Sequence, residues 1–93
     1  MTIYEVSYLF GSPLILKRSP ESGMWSAYIQ HLETKRSRDS SILGASSGVG
    51  ETIELAVENY CKNIVGKWGV VHAYDGKNRI EFGIPKSLDN KLP

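Results

Sequence analysis

Gly48-Val49-Gly50-Glu51-Thr52 and the segment 53–65 behind it constrain this chain more than any other stretch. Ile53, Ala56, Val57, Tyr60 and Ile64 recur at i, i+3, i+4, i+7 and i+11, one apolar stripe at the helical period. Glu51, Glu54, Glu58, Asn59, Lys62 and Asn63 fall mostly off that stripe and are expected in water. Thr52 is the expected N-cap, its hydroxyl accepting from an amide of the first turn. Leu55 stands where a capping box needs Glu or Gln, so the reciprocal bond is absent. Glu51 and Glu54 suit the positive end of the helix dipole, and Lys62 and Lys67 the negative end. Gly66 is the expected left-handed stop. A helix this short needs a sheet to cover its stripe.

Short β-type runs surround it. Residues 3–10 alternate, with Tyr4, Val6, Tyr8 and Phe10 to one side, and read as a strand. Gly11-Ser12-Pro13 breaks that run, and 14–17 is a second short one. Residues 19–23 are rich in turn formers. Residues 24–31 form a strong strand, in which Trp25, Ala27 and Ile29 alternate with Ser26, Tyr28 and Gln30. Residues 33–41 lack an apolar side chain and read as a polar connection; 42–45 is a brief strand entering a Gly/Ser loop at 46–50. After the helix, 70–74 and 79–84 flank Asp75-Gly76-Lys77-Asn78, a hairpin signal. A loop of Asp75-Gly76 alone pairs Val71 with Ile80, whereas a loop of 75–78 pairs Val71 with Phe82. Both keep Val71, Ala73, Ile80 and Phe82 on one face. Gly76 is expected at the tip of this turn with positive φ. Pro85 ends the last strand.

The expected order is β-β-β-β-α-β-β. This is an α+β domain over 1–85, a small mostly antiparallel sheet with one helix across a face, followed by a polar tail at 86–93. Ninety-three residues make one domain with one modest core. A formal net charge of +1 gives no global pull toward nucleic acid or membrane. The single Cys61 cannot form an internal disulfide, which suits a reducing, cytoplasmic setting. Its neighbours mark it as a packing residue rather than a reactive thiol. No run approaches the roughly 20 apolar residues that span a bilayer, and the N-terminal run lacks a signal peptide's basic start.

Gly44-Ala45-Ser46-Ser47-Gly48 has the spacing of a nucleophile elbow, but that elbow belongs to a much larger α/β fold. No catalytic residue is assigned. The same loop enters a helix N-terminus, where exposed amides hold phosphate or carboxylate groups; a simple strand-to-helix connection needing glycine is the plainer alternative. His31 and His72 lack Cys or His neighbours at ligand spacing, so neither a structural zinc nor any other cofactor is expected. Lys35, Arg36 and Arg38 form a compact basic cluster suited to a phosphate or an acidic partner. The expected partner- or phosphate-binding set is Lys35, Arg36, Arg38, Ser46, Ser47, Gly48, Gly50, Trp68, Tyr74 and Arg79.

Two stretches together resemble HicB-type antitoxin domains. Ser22-Gly23-Met24-Trp25-Ser26-Ala27-Tyr28-Ile29 is similar to the aromatic-containing strand of that family. Gly50-Glu51-Thr52-Ile53-Glu54-Leu55-Ala56-Val57-Glu58-Asn59 is similar to its helix start. Asn59-Tyr60-Cys61, the run to Ile64 and the closing hairpin also resemble small phage-encoded proteins. The resemblance implies a small sheet with one helix that blocks an RNA-cleaving toxin. The expected function is therefore a non-catalytic inhibitor or sequestering protein, its partner a toxin or host enzyme. The alternative is a nucleic-acid or phosphate-ligand module acting through the basic 35–38 loop and the Gly/Ser loop at 46–50. A homodimer is expected, because 3–10 read as an apolar strand makes a poor solitary edge.

Overall fold

A computed structural model describes residues 1–89. The elements are α1 (Ile3–Phe10), β1 (Leu14–Arg18), β2 (Trp25–Ile29), β3 (Leu32–Lys35), β4 (Gly48–Gly50), α2 (Ile53–Ile64), β5 (Trp68–Val71) and β6 (Ile80–Gly83). The strands form two antiparallel sheets, ordered β1-β2-β4 and β3-β5-β6. The α+β class holds, with a second helix at the start of the chain.

That helix replaces the strand expected over 3–10. Glu5 N–H donates to Thr2 Oγ1 at 3.1 Å, and Thr2 N–H donates to Glu5 Oε1 at 3.1 Å. The pair is a capping box that satisfies amides the first turn leaves open. Gly11, at φ 67°, stops the helix in the left-handed region. Ile3, Val6 and Phe10 are buried at i, i+3 and i+7, while Tyr8 is 84% exposed. Val6 and Phe10 are four apart, a spacing that serves period 2 and period 3.6 alike. The Thr2/Glu5 cap and the solvent-facing Tyr8 separate the two readings.

In the first sheet, β1 and β2 pair from Leu14↔Ile29 to Arg18↔Trp25, and β4 adds Trp25↔Gly50 and Ala27↔Gly48. Helix α2 lies against β2 and β4. Leu55 N–H donates to Thr52 Oγ1 at 3.1 Å, the cap expected there. Ala56, Val57, Tyr60 and Ile64 are buried with Cys61; Ile53, the first member of the expected stripe, is exposed in the first turn. Gly66 takes φ 74° just past the helix.

The stretch 46–50 is not an open loop throughout. Gly48 and Gly50 are buried in β4, pressed on the helix backbone. A Cβ at Gly48 would strike Ala56 O and Tyr60 N and lie 2.7 Å from Tyr60 Cα; one at Gly50 would lie 2.6 Å from Leu55 Cβ. Two helix amides secure the strand from the side: Asn59 Nδ2 donates to Val49 O at 2.7 Å and Asn63 Nδ2 to Ser47 O at 2.9 Å.

The second sheet corrects the polar connection expected over 33–41. Leu32–Lys35 is a strand, paired to β5 from Leu32↔Val71 to Lys35↔Trp68. The brief strand expected at 42–45 reduces to one bridge, Thr34↔Gly44. The hairpin pairs Val71 with Ile80, one of the two registers read from the sequence. Its loop is 72–79, longer than either version expected. His72 turns the chain with φ 54°. Asp75 Oδ1 accepts from Lys77 N–H at 3.0 Å, and Arg79 Nη1 donates to Ala73 O at 2.8 Å. Gly76 has no positive φ and open space around it, so it is not the tip of a tight turn.

The core joins α1, α2 and both sheets through Ile3, Val6, Phe10, Ile29, Leu32, Tyr60, Val71 and Ile84. Phe10 and Phe82 stack at 3.9 Å between centroids. Of the expected tail, Leu88 packs on this core and Asp89 bridges to Thr2; 90–93 lie outside the described residues. Among those described, no helix is long and apolar enough to cross a membrane.

Candidate functional site

Antiparallel pairing decides what surrounds the basic cluster. β3 ends at Lys35 opposite Trp68, where β5 begins. The next residues outward, Arg36 and Lys67, therefore come together at the same end of the sheet. The chain after Arg36 swings out and returns at Gly44, whose N–H donates to Thr34 O at 2.9 Å while its carbonyl accepts from Thr34 N–H at 2.9 Å. The loop encloses a cleft of about 540 Å³ lined by Thr34, Lys35, Arg36, Ser40, Ile42, Gly44, Ala45, Ser46 and Lys67.

Three cations, three hydroxyls and one prominent apolar side chain thus share one hollow. Ile42 is 81% exposed, held out by a loop turn in which its N–H donates to Ser40 Oγ at 3.3 Å. Among the described residues, the salt bridges are Glu58–Lys62 and Arg79–Glu81, so Lys35, Arg36 and Lys67 are not ion-paired. Glu81 is the carboxylate whose field reaches Lys35. Its carboxyl is held below the usual range by the Arg79 hydrogen bond first and the Trp68 indole N–H second, with the Lys35 charge a lesser cause.

The residues singled out from sequence divide accordingly. Lys35, Arg36 and Ser46 line the cleft, whereas Arg38 is exposed on the same loop outside the lining. The carbonyl of Ser47 is taken by Asn63. Gly48 and Gly50 are contacts between strand and helix, and their burial removes them from any ligand surface. Trp68 Nε1 donates to Glu81 Oε1 at 3.0 Å, and Arg79 Nε to Glu81 Oε2 at 2.7 Å. Both are thereby tied into a local network outside the cleft lining. Tyr74 stands 91% exposed on the 72–79 loop, apart from the cleft. The cleft residues that sequence reasoning missed include Ser40, Ile42 and Lys67, the last assigned there only to the helix dipole. Strand register is what carries it to Arg36, and the 33–41 stretch gave no hydrophobic pattern from which to read that register.

Other chemistry is quieter. The start of α2 has Leu55 N–H already bound to Thr52 and carries Glu51 and Glu54, which oppose an anion. Burial pushes the Cys61 thiol up to about 11, with the Asp89 charge a second cause, so it is protonated and a poor nucleophile at neutral pH. Among the described residues, no group of three or more His, Cys, Asp or Glu side chains is placed to hold a metal ion.

Comparison with protein-family models, with curated protein sequences and with solved structures gave no match. The stretches that resemble HicB-type domains occupy β2 and the start of α2. In this chain Thr52 caps the helix and Asn59 holds β4. The single sheet and single helix implied by that resemblance differ from the two sheets and two helices found.

Proposed function

We propose that this is a non-catalytic binding protein that sequesters or inhibits a macromolecular partner, holding an acidic segment of a partner protein in the cleft of Lys35, Arg36 and Lys67. The observation that carries the reading is the meeting of three unpaired cations from two separate segments in one cleft with an exposed Ile42. Cations attract and orient an acidic chain, while an apolar side chain in the same cleft supplies desolvated contact area. A phosphate ligand would use the cations and the Ser40 and Ser46 hydroxyls but would gain little from Ile42. The buried, protonated Cys61 supports a role without covalent chemistry.

The test uses two fluorescent probes, an acidic peptide of alternating Glu and Leu and a single-stranded RNA of equal charge. The expected result is peptide binding that weakens at least tenfold in the variant Lys35→Glu/Arg36→Glu/Lys67→Glu, and at least threefold in Ile42→Ser. Both variants should keep the wild-type circular dichroism. RNA bound more tightly than peptide, with Ile42→Ser silent, would replace this reading with the nucleic-acid alternative.

A further inference from the structure

His31 and His72 are 41 positions apart in a chain where neither has a Cys or His neighbour at metal-ligand spacing, yet the fold brings their rings together. Leu32 pairs with Val71 at the end of the β3–β5 ladder. The next residue outward on each strand is a histidine. Their ring centroids lie 5.0 Å apart with the planes tilted by 35°. Both backbones occupy the left-handed region, φ 64° at His31 and 54° at His72, where side chains other than Gly, Asn, Asp and His are uncommon. Such backbone outliers gather at functional sites. Here two coincide at one contact, at the opposite end of the sheet from the cationic cleft.

We propose that His31 and His72 form a two-imidazole chelate for a divalent late first-row transition metal, of the Cu(II), Ni(II) or Zn(II) class. With metal–nitrogen bonds of about 2.1 Å, each ring centroid sits roughly 3.2 Å from the ion, and coordination angles from square to tetrahedral separate the centroids by about 4.6 to 5.3 Å. The observed 5.0 Å falls inside that interval. Among the described residues, neither imidazole makes a side-chain hydrogen bond that a metal would have to break. His31 is exposed and His72 half-buried, which leaves an approach from solvent. The nearby charges favour a cation. The Asp75 carboxylate is within electrostatic reach of His72, and the Arg79 guanidinium in the same loop is neutralised by Glu81 and bonded to Ala73 O. Two protein ligands leave coordination positions open, so the ion would carry water or a ligand from a partner. This differs from a closed four-ligand structural site.

The experiment titrates Ni(II) into the tag-free full chain by calorimetry, with His31→Asn, His72→Asn and the double variant alongside. Asn tolerates the left-handed backbone at both positions. The expected result is one equivalent of Ni(II) per wild-type chain. Each single variant should bind at least fivefold more weakly, and the double variant should be no worse than twofold below either single, because a chelate is lost with its first ligand. Absence of saturable binding at millimolar Ni(II), or a single variant that loses less than fivefold, would overturn the site. Should a variant fail to fold, wild-type NMR decides. Substoichiometric Cu(II) should broaden the ring resonances of both histidines together, and broadening of one alone would overturn the chelate.

Discussion

Tyr60 shows how one side chain links helix to sheet and sets a pH limit on stability. Its ring is buried under β2, and its hydroxyl accepts from Ile29 N–H at 2.9 Å. Burial is the main cause that raises its phenol from 10.0 to about 12; the Ile29 hydrogen bond opposes the shift and the neighbouring Cys61 adds to it. Cys61 moves the same way, from 9.0 to about 11. Each group therefore keeps its proton in the folded protein at pH values where the unfolded chain releases it. The stabilisation is complete below the unfolded values and is lost as pH rises through the folded ones. Denaturant unfolding is expected to show stability level up to about pH 9 and then falling, Cys61 contributing from 9.0 and Tyr60 from 10.0 upward. Tyr60→Phe should remove the Tyr60 part of that fall. It should also lower stability at neutral pH by about 1–3 kcal/mol, because the buried Ile29 amide loses its acceptor. A variant as stable as wild type at pH 7 would contradict the bond.

At the scale of elements, glycines separate close packing from plain turns. Helix α2 meets β4 backbone to backbone, and a methyl group at Gly48 has no room beside Ala56 and Tyr60. Gly48→Ala must push strand and helix apart and should cost about 2–3 kcal/mol, toward the upper end for overpacked sites. Gly76 sits in open space without a positive φ. Gly76→Val should therefore change stability by no more than about 0.5 kcal/mol, although Asp-Gly in sequence marks it as the more sensitive position. Urea midpoints for the two variants, measured side by side, would reverse the assignment if Gly76→Val proved the more damaging. The loop at 72–79 gets its shape from Asp75 and Arg79 instead, through side-chain bonds to Lys77 N–H, Asn78 and Ala73 O.

For the molecule as a whole, one stretch of chain serves both sheets. β2 belongs to the first, β3 to the second, and only Gln30 and His31 lie between them. Helix α1 shares one core with both sheets, its Phe10 stacked on Phe82 of β6 and facing Gly69 of β5. The two sheets are thus expected to open as one cooperative unit. Phe10→Ala should cost about 3–5 kcal/mol and should raise hydrogen exchange together at Ala27 in the first sheet and Val70 in the second. Loss of protection confined to the second sheet would show them to be independent. The same helix alters the case for a homodimer. That expectation rested on 3–10 as an apolar strand edge, and the segment is a helix with no strand edge to offer.

What the sequence determined by itself was wherever a local signal had one physical meaning. Thr52 with the stripe behind it specified α2, the alternation about Ala27 specified β2, and Gly66 marked the end of the second helix. Parity kept the Val71–Ile80 register among the two hairpin alternatives. Tertiary structure decided the rest. Val6 and Phe10 fit both periods, and the capping box at Thr2 and Glu5, a local signal in plain sight, was outweighed by the alternation. β3 has no hydrophobic pattern of its own; it is a strand because β5 lies beside it and Thr34 exchanges two bonds with Gly44. The placement of Lys67 beside Arg36, and of His31 beside His72, has the same origin. Both pairs lie at the two ends of one antiparallel ladder, and ladder register depends on which chains meet across space rather than on the residues adjacent in sequence.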